Sequence, residues 1–284
     1  MLKTKKCYID SRFKTVGSKS NTDFDFELTE NLDLPDNCIC YFDDIVIPHT
    51  WWNIDVNNNN LYIRRLINST IEDKIISLNI GQYNVDQIAV EIQAQLRSAF
   101  PNGSGEFLVS YINTKGFMTI NPNASNVQFL LLTDNDIYSR LNNSWTGPTY
   151  DIRQPRCFNE TLRNTEGASQ IYSVNNIFTS GFIDILAGKH YLYLTSSNFG
   201  SYNAWGPRGD RNIIKKVAVT ANYAYNIEEA AAFSGDDYMD VSRAIIKTLS
   251  FQLRDGFGSI VDLHGSNISF SIVFFNIKTR YLKI

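Results

Sequence analysis

Alternation of apolar and polar residues near both ends of the chain most constrains its fold. In "RAIIKTLSFQLRD", Ile245, Lys247, Leu249, Phe251 and Leu253 alternate with Ile246, Thr248, Ser250 and Gln252. In "NISFSIVFFNI", Ile268, Phe270, Ile272 and Phe274 share one face. Successive side chains of a strand point to opposite faces, so these runs read as half-buried strands. "FDFEL" repeats the pattern, with Phe24, Phe26 and Leu28 against Asp25 and Glu27. "CICYFDDIVIP" is a longer strand whose alternation breaks at Asp43-Asp44, which predicts a bulge, and Pro48 ends it. "LYIRRLI", "KIISLNI", "KHYLYLTS" and "IIKKVAVTANYAY" add further strands.

One segment breaks the period. "YNVDQIAVEIQAQLRSAF" places Val85, Ile88, Ala89, Ile92 and Leu96 at helical spacing. Asn84 is suited to N-cap, Gln87 stands at the capping-box position, and Pro101-Asn102-Gly103 closes the helix. Three strands follow in "EFLVSYI", "GFMTINP" and "NVQFLLL". With the helix they share an apolar set of Ile88, Ile92, Leu96, Phe107, Val109, Phe117, Ile120 and Phe129. Residues 134–180 are polar and irregular, too long for an idle loop, and read as an exposed or partner-contacting region.

Composition narrows the function. Aromatics make up 13% of 284 residues, which favours strands, and the net charge of −3 excludes a nucleic-acid polycation. No apolar run is long enough for a transmembrane helix, and "MLKTKKCYID" lacks the apolar stretch of a secretory signal. Cys38 and Cys40 fall on one face of a strand with no second ligand pair at metal spacing, so the cysteines read as buried structural thiols.

"LRDGFGSIVDLHGSN", residues 253–267, gathers Asp255, Asp262 and His264 among glycines. A metal site needs three converging ligands, and His49 and His190 have no acidic partner at motif spacing. The alternative is a wide hairpin in which Gly256, Gly258 and Gly265 supply positive φ, while Val261 and Leu263 pack inward. No nucleophile elbow, phosphate loop, dinucleotide fingerprint or zincin motif occurs, and no enzyme, metal or cofactor is expected.

The same stretch, extended to "LSFQLRDGFGSIVDLHGSNISFSIVF", resembles the C-terminal hairpin of jelly-roll capsid proteins. "FDFEL…LDLP…CYFDDIVIPHTWWNI" and the Gly81-Gln82-Tyr83-Asn84 entry to the helix are similar to the same group. Together they resemble the penton (minor capsid) proteins of virophage- and polinton-type viruses. The resemblance implies a mainly β fold, a single jelly-roll β-sandwich with a helix-containing α+β insertion. Its eight strands would be 22–30, 38–48, 60–67, 73–80, 189–196, 212–224, 244–253 and 267–277. The division would then be an N-terminal arm over 1–20, a jelly roll over 21–80 and 181–284, and an insertion over 81–180.

It also implies a structural capsid protein, a homopentamer at fivefold vertices that contacts the major capsid protein. It would be made in the host cytoplasm and carried in the virion, with no specific nucleic acid as partner. The alternative is a jelly-roll module that binds carbohydrate or a host-surface receptor. Candidate contacts for that role are Trp51, Trp52 and Trp205, and the tripeptide Arg208-Gly209-Asp210, which is also an ordinary turn sequence. Trp51 and Trp52 are adjacent and point to opposite faces of a strand, so at most one would stack on a sugar and the other is core or interface. Lys3, Lys5 and Lys6 form either an idle terminus or an inter-subunit arm.

Overall fold

The computed structural model describes residues 4–101, 107–122, 127–132, 144–147, 178–186, 189–199, 206, 209–230 and 238–277. Its strands in chain order are β1 (Lys5–Asp10), β2 (Asp23–Asp33), β3 (Cys38–Pro48), β4 (Asn60–Ile67) and β5 (Thr70–Ser77). Helix α1 (Val85–Ala99) follows, then β6 (Leu108–Ile112), β7 (Phe117–Asn121), β8 (Val127–Leu131) and β9 (Phe178–Phe182). The remainder is β10 (Tyr191–Ser196), β11 (Ile213–Ala218), β12 (Asn226–Ala230), β13 (Met239–Asp240), β14 (Ile245–Asp255) and β15 (Ser269–Asn276). The chain divides into two compact units, Met1–Trp51 with Lys189–Ile284, and Trp52–Gly188.

The first unit holds two sheets, ordered β1-β15-β3-β12 and β11-β10-β14-β2, with the short β13 also on β3. Eight strands in two antiparallel four-stranded sheets, with the chain crossing repeatedly between them, make a jelly roll. Its core forms where the inward rows of the two sheets meet. Ile9, Ile45, Ile47, Ile227 and Ile272 from one sheet face Phe24, Leu194, Val217, Phe251 and Leu253 from the other. Phe251 and Phe270 meet edge to face across the sandwich at 4.9 Å. Cys38 and Cys40 are free thiols in this core, where burial pushes the Cys40 thiol up.

Within the sheets of the first unit, β1 and β14 depart from the sequence expectation. The first jelly-roll strand is β1, so residues 5–10 are not an arm. Its partner is the last strand, β15, in register from Lys5↔Phe274 to Asp10↔Ser269. On β14 the register shifts between Ile246 and Thr248, so that Ile246 is buried with Leu249, Phe251 and Leu253 while Ile245 is exposed. One extra residue in a strand moves every following side chain to the other face.

The second unit begins earlier than expected. Residues 60–67 and 70–77 form the hairpin β4–β5 and pair with β8, in a sheet separate from both jelly-roll sheets. The two-residue turn Asn68-Ser69 has positive φ at both positions, which suits the right-handed twist of a hairpin. β6, β7 and β9 form a further sheet. Helix α1 has the expected capping box: Gln87 N donates to Asn84 Oδ1 at 2.9 Å, and Asn84 N donates to Gln87 Oε1 at 2.8 Å. Its buried stripe of Ile88, Ala89, Ile92 and Leu96 packs with Leu61, Ile63, Ile76, Phe107, Ile120 and Phe129.

Polar anchors close this unit. The Asn53 side chain donates to Tyr83 O at 2.8 Å and Ile185 O at 3.2 Å, and accepts from Tyr83 N at 3.0 Å. It thus joins the start and end of the unit. Arg64 and Asp73 form a buried bidentate pair, both bonds 2.7 Å, and Arg64 also donates to Ser144 O at 2.7 Å. Asp73 further accepts from the Thr146 amide at 2.8 Å, so the pair holds residues 144–146 against the hairpin.

Candidate assembly surfaces

The segment between β14 and β15 is a crossover between sheets, not a hairpin. β14 pairs with β10 and β2, whereas β15 pairs with β1 and β3. Asp255 starts the turn and is only 4% exposed. One carboxylate oxygen accepts from Phe257 N at 2.9 Å and Ser259 N at 3.0 Å. Gly258, at φ 86°, lets the chain reverse inside this ring of bonds. Val261, Leu263 and Ile268 then drop into the core. His264 Nδ1 lies 2.6 Å from Thr50 O, while its Nε2 is 3.9 Å from Asp262. Among the described residues no three His, Cys, Asp or Glu side chains converge as a metal site would require.

His49 is buried just after β3. Its ring stacks on Trp51 at 4.1 Å, and Nδ1 lies 2.8 Å from Ala221 O. Burial pushes this imidazole below its ordinary value and nearby Lys189 adds to the effect, while the bond to Ala221 opposes it.

The candidate contact residues separate. Trp51 is 3% exposed and belongs to the jelly-roll core, so of the adjacent pair it is the core member and not a ligand platform. Trp52 is half-buried and opens the second unit. Gly209 and Asp210 are exposed before β11, where Gly209 N donates to Gly206 O at 2.9 Å and Gly206 N to Asp210 O at 2.7 Å. Trp205, Arg208 and Lys3 lie outside the described residues. Lys5 and Lys6 sit on β1 and bond within the chain, Lys5 to Glu30 at 2.6 Å and Lys6 to Asp43 and Asp44. Lys5 and Lys6 thus belong to a paired strand, neither to an idle terminus nor to an arm.

The surface the sequence reading missed is apolar and lies on the segment that leaves β1 and bonds to β2 through Thr15 and Lys19, and on the segment that leads into β12. Beyond β1, Phe13 is 71% exposed and Val16 fully so. Before β12, Tyr225 is 68% exposed and Tyr223 partly so. The charge pattern was legible: residues 11–20 hold three bases and no acid.

A single jelly roll whose third and fourth sandwich strands, β3 and β10, flank a second unit in the chain defines the class. The crystal structure of selenomethionine-labelled mavirus penton protein is similar over 97% of this chain and 100% of that one, with a TM-score of 0.55 and 11% identity. A chain of the Sputnik virophage structure solved by cryo-electron microscopy is similar over 99% of both, with a TM-score of 0.51 and 12% identity. The fold is therefore that of the mavirus penton protein. No protein-family model matches the sequence, and no curated protein does.

Proposed function

We propose that the chain is a structural capsid protein, a penton that closes the fivefold vertices of an icosahedral virion. The observation that carries this reading is the likeness to the mavirus penton protein across both units, with neither chain extending far beyond the other. The chemistry agrees. The polar side chains of Asp255, Asp73, Arg64 and Asn53 are spent on holding loops, and the His49 ring is packed on Trp51 with Nδ1 against Ala221 O. Packing is then the mechanism: each copy covers a neighbour's edge, and the contact closes into a ring when the rotation is one fifth of a turn. The major capsid protein surrounds that ring, and the virion is the site of action.

Light scattering on the purified full chain tests the reading. Five copies of 32.4 kDa weigh about 162 kDa, the mass expected of the vertex ring. A stable trimer would redirect the function to a receptor-binding module.

A further inference from the structure

We infer that residues 11–20 of one copy and residues 219–230 of the next bind each other head to tail, and that this contact builds the ring. The inference rests on the penton reading and names its surfaces. The two segments adjoin opposite edges of one sheet, since β1 and β12 are the first and last strands of the order β1-β15-β3-β12. They also lie at the same end of it. Asp10 pairs with Ser269, Ser269 with Val46, and the next residue but one on β3, Pro48, pairs with Asn226. A ring repeats by rotation about one axis, so patches that meet must stand at the same height along it; unequal heights give an open helix.

The patches match in chemistry. Residues 11–20 carry Arg12, Lys14 and Lys19 and no acid, beside exposed Phe13 and Val16. Residues 219–230 carry Glu228 and Glu229 and no base, beside exposed Tyr223 and Tyr225. Intrachain pairs occupy most of these charges: Arg12 with Asp10, Lys19 with Asp23, and Glu229 with Lys215. Two are left. Lys14 donates to the neutral Asn21 Oδ1 at 2.7 Å, and Glu228, exposed on β12, has no ion pair among the described residues. One base and one acid without ionic partners, each beside apolar groups, would complete each other across the joint. A nucleic acid or anionic membrane fits less well, because Asp10, Glu30, Asp43, Asp44 and Asp23 already offset the lysines and arginine around β1.

The test is charge reversal in the full chain, with assembly read by light scattering over a dilution series and folding checked by circular dichroism. Lys14→Glu and Glu228→Lys alone each bring like charges together, and each is expected to raise the apparent dissociation constant tenfold or more. The double variant restores the opposite pair and is expected to return to within a few-fold of wild type. Phe13→Ser is expected to give monomers. If the wild type assembles and both single reversals assemble equally well, the surface is wrong while the ring stands. If the wild type stays monomeric at every concentration, both fall.

Discussion

Replacing Asp255 by Ala or Asn separates a structural carboxylate from one retained for chemistry. The side chain is 4% exposed, and a single oxygen accepts both the Phe257 and Ser259 amides. Asp255→Ala removes both bonds and leaves two amides without that acceptor. A hydrogen bond to a charged group contributes about 1.5–3 kcal/mol, so the loss is expected to be about 3–5 kcal/mol, toward the lower end because both half-buried amides regain some water. Asp255→Asn keeps an oxygen in the same place and is expected to cost under about 1.5 kcal/mol, the difference between a charged and a neutral acceptor. Denaturant unfolding followed by circular dichroism gives the stabilities, and hydrogen exchange at residues 256–263 localises the effect. Asp255→Ala within about 0.5 kcal/mol of wild type would refute the reasoning. So would Asn as damaging as Ala, which would show that charge rather than an acceptor matters.

Other expectations follow from the buried groups. Arg64→Ala leaves Asp73 without its partner and is expected to cost about 3–5 kcal/mol in the second unit, with faster proteolysis near residues 144–146. Burial alone would push the Asp73 carboxyl up, but the bonds from Arg64 and Thr146 outweigh it and hold it below the usual range. That stabilisation is present above about pH 4, the unfolded value, and is lost as pH falls further; acid unfolding of Arg64→Ala against wild type reads the difference. His49 behaves in the opposite sense to a salt-bridged histidine: the folded imidazole binds its proton less readily than the unfolded one. The first unit is therefore expected to lose stability as pH drops below about 6.5, and His49→Asn, which keeps a donor for Ala221 O, should flatten the thermal midpoint between pH 5 and 7.5. Phe251→Ala, at the meeting of Phe24, Phe199 and Phe270, is expected to cost about 3–5 kcal/mol by calorimetry.

The sequence made some of this legible because the signals were local. The alternation of β2, β3 and β15 and the Asn84–Gln87 capping box are written within one element each. Sheet membership is not local. "LYIRRLI" and "KIISLNI" have the pattern of any half-buried hairpin, and only pairing with β8, some 60 residues on, places them in the second unit. Arg64 and Arg65 gave a faint hint, since two adjacent arginines cannot both face water from a strand; both are buried, Arg65 against Glu72 and Phe100. β1 was hidden because "KKCYID" looks like a charged terminus. Its lysines are neutralised by Glu30, Asp43 and Asp44 from other strands, which no reading of that segment alone supplies. The edge patches were missed for the same reason: residues 11–20 and 219–230 become a matched pair only when the topology sets them on opposite edges of one sheet.

Rotational symmetry is the most direct test of the central claim. Cryo-electron microscopy of the purified assembly, averaged without imposed symmetry, is expected to show five copies around one axis, with the edge bearing residues 11–20 of each against the edge bearing residues 219–230 of the next. Particles with threefold or sixfold symmetry, or pairs joined by the same edge on both copies, would contradict it.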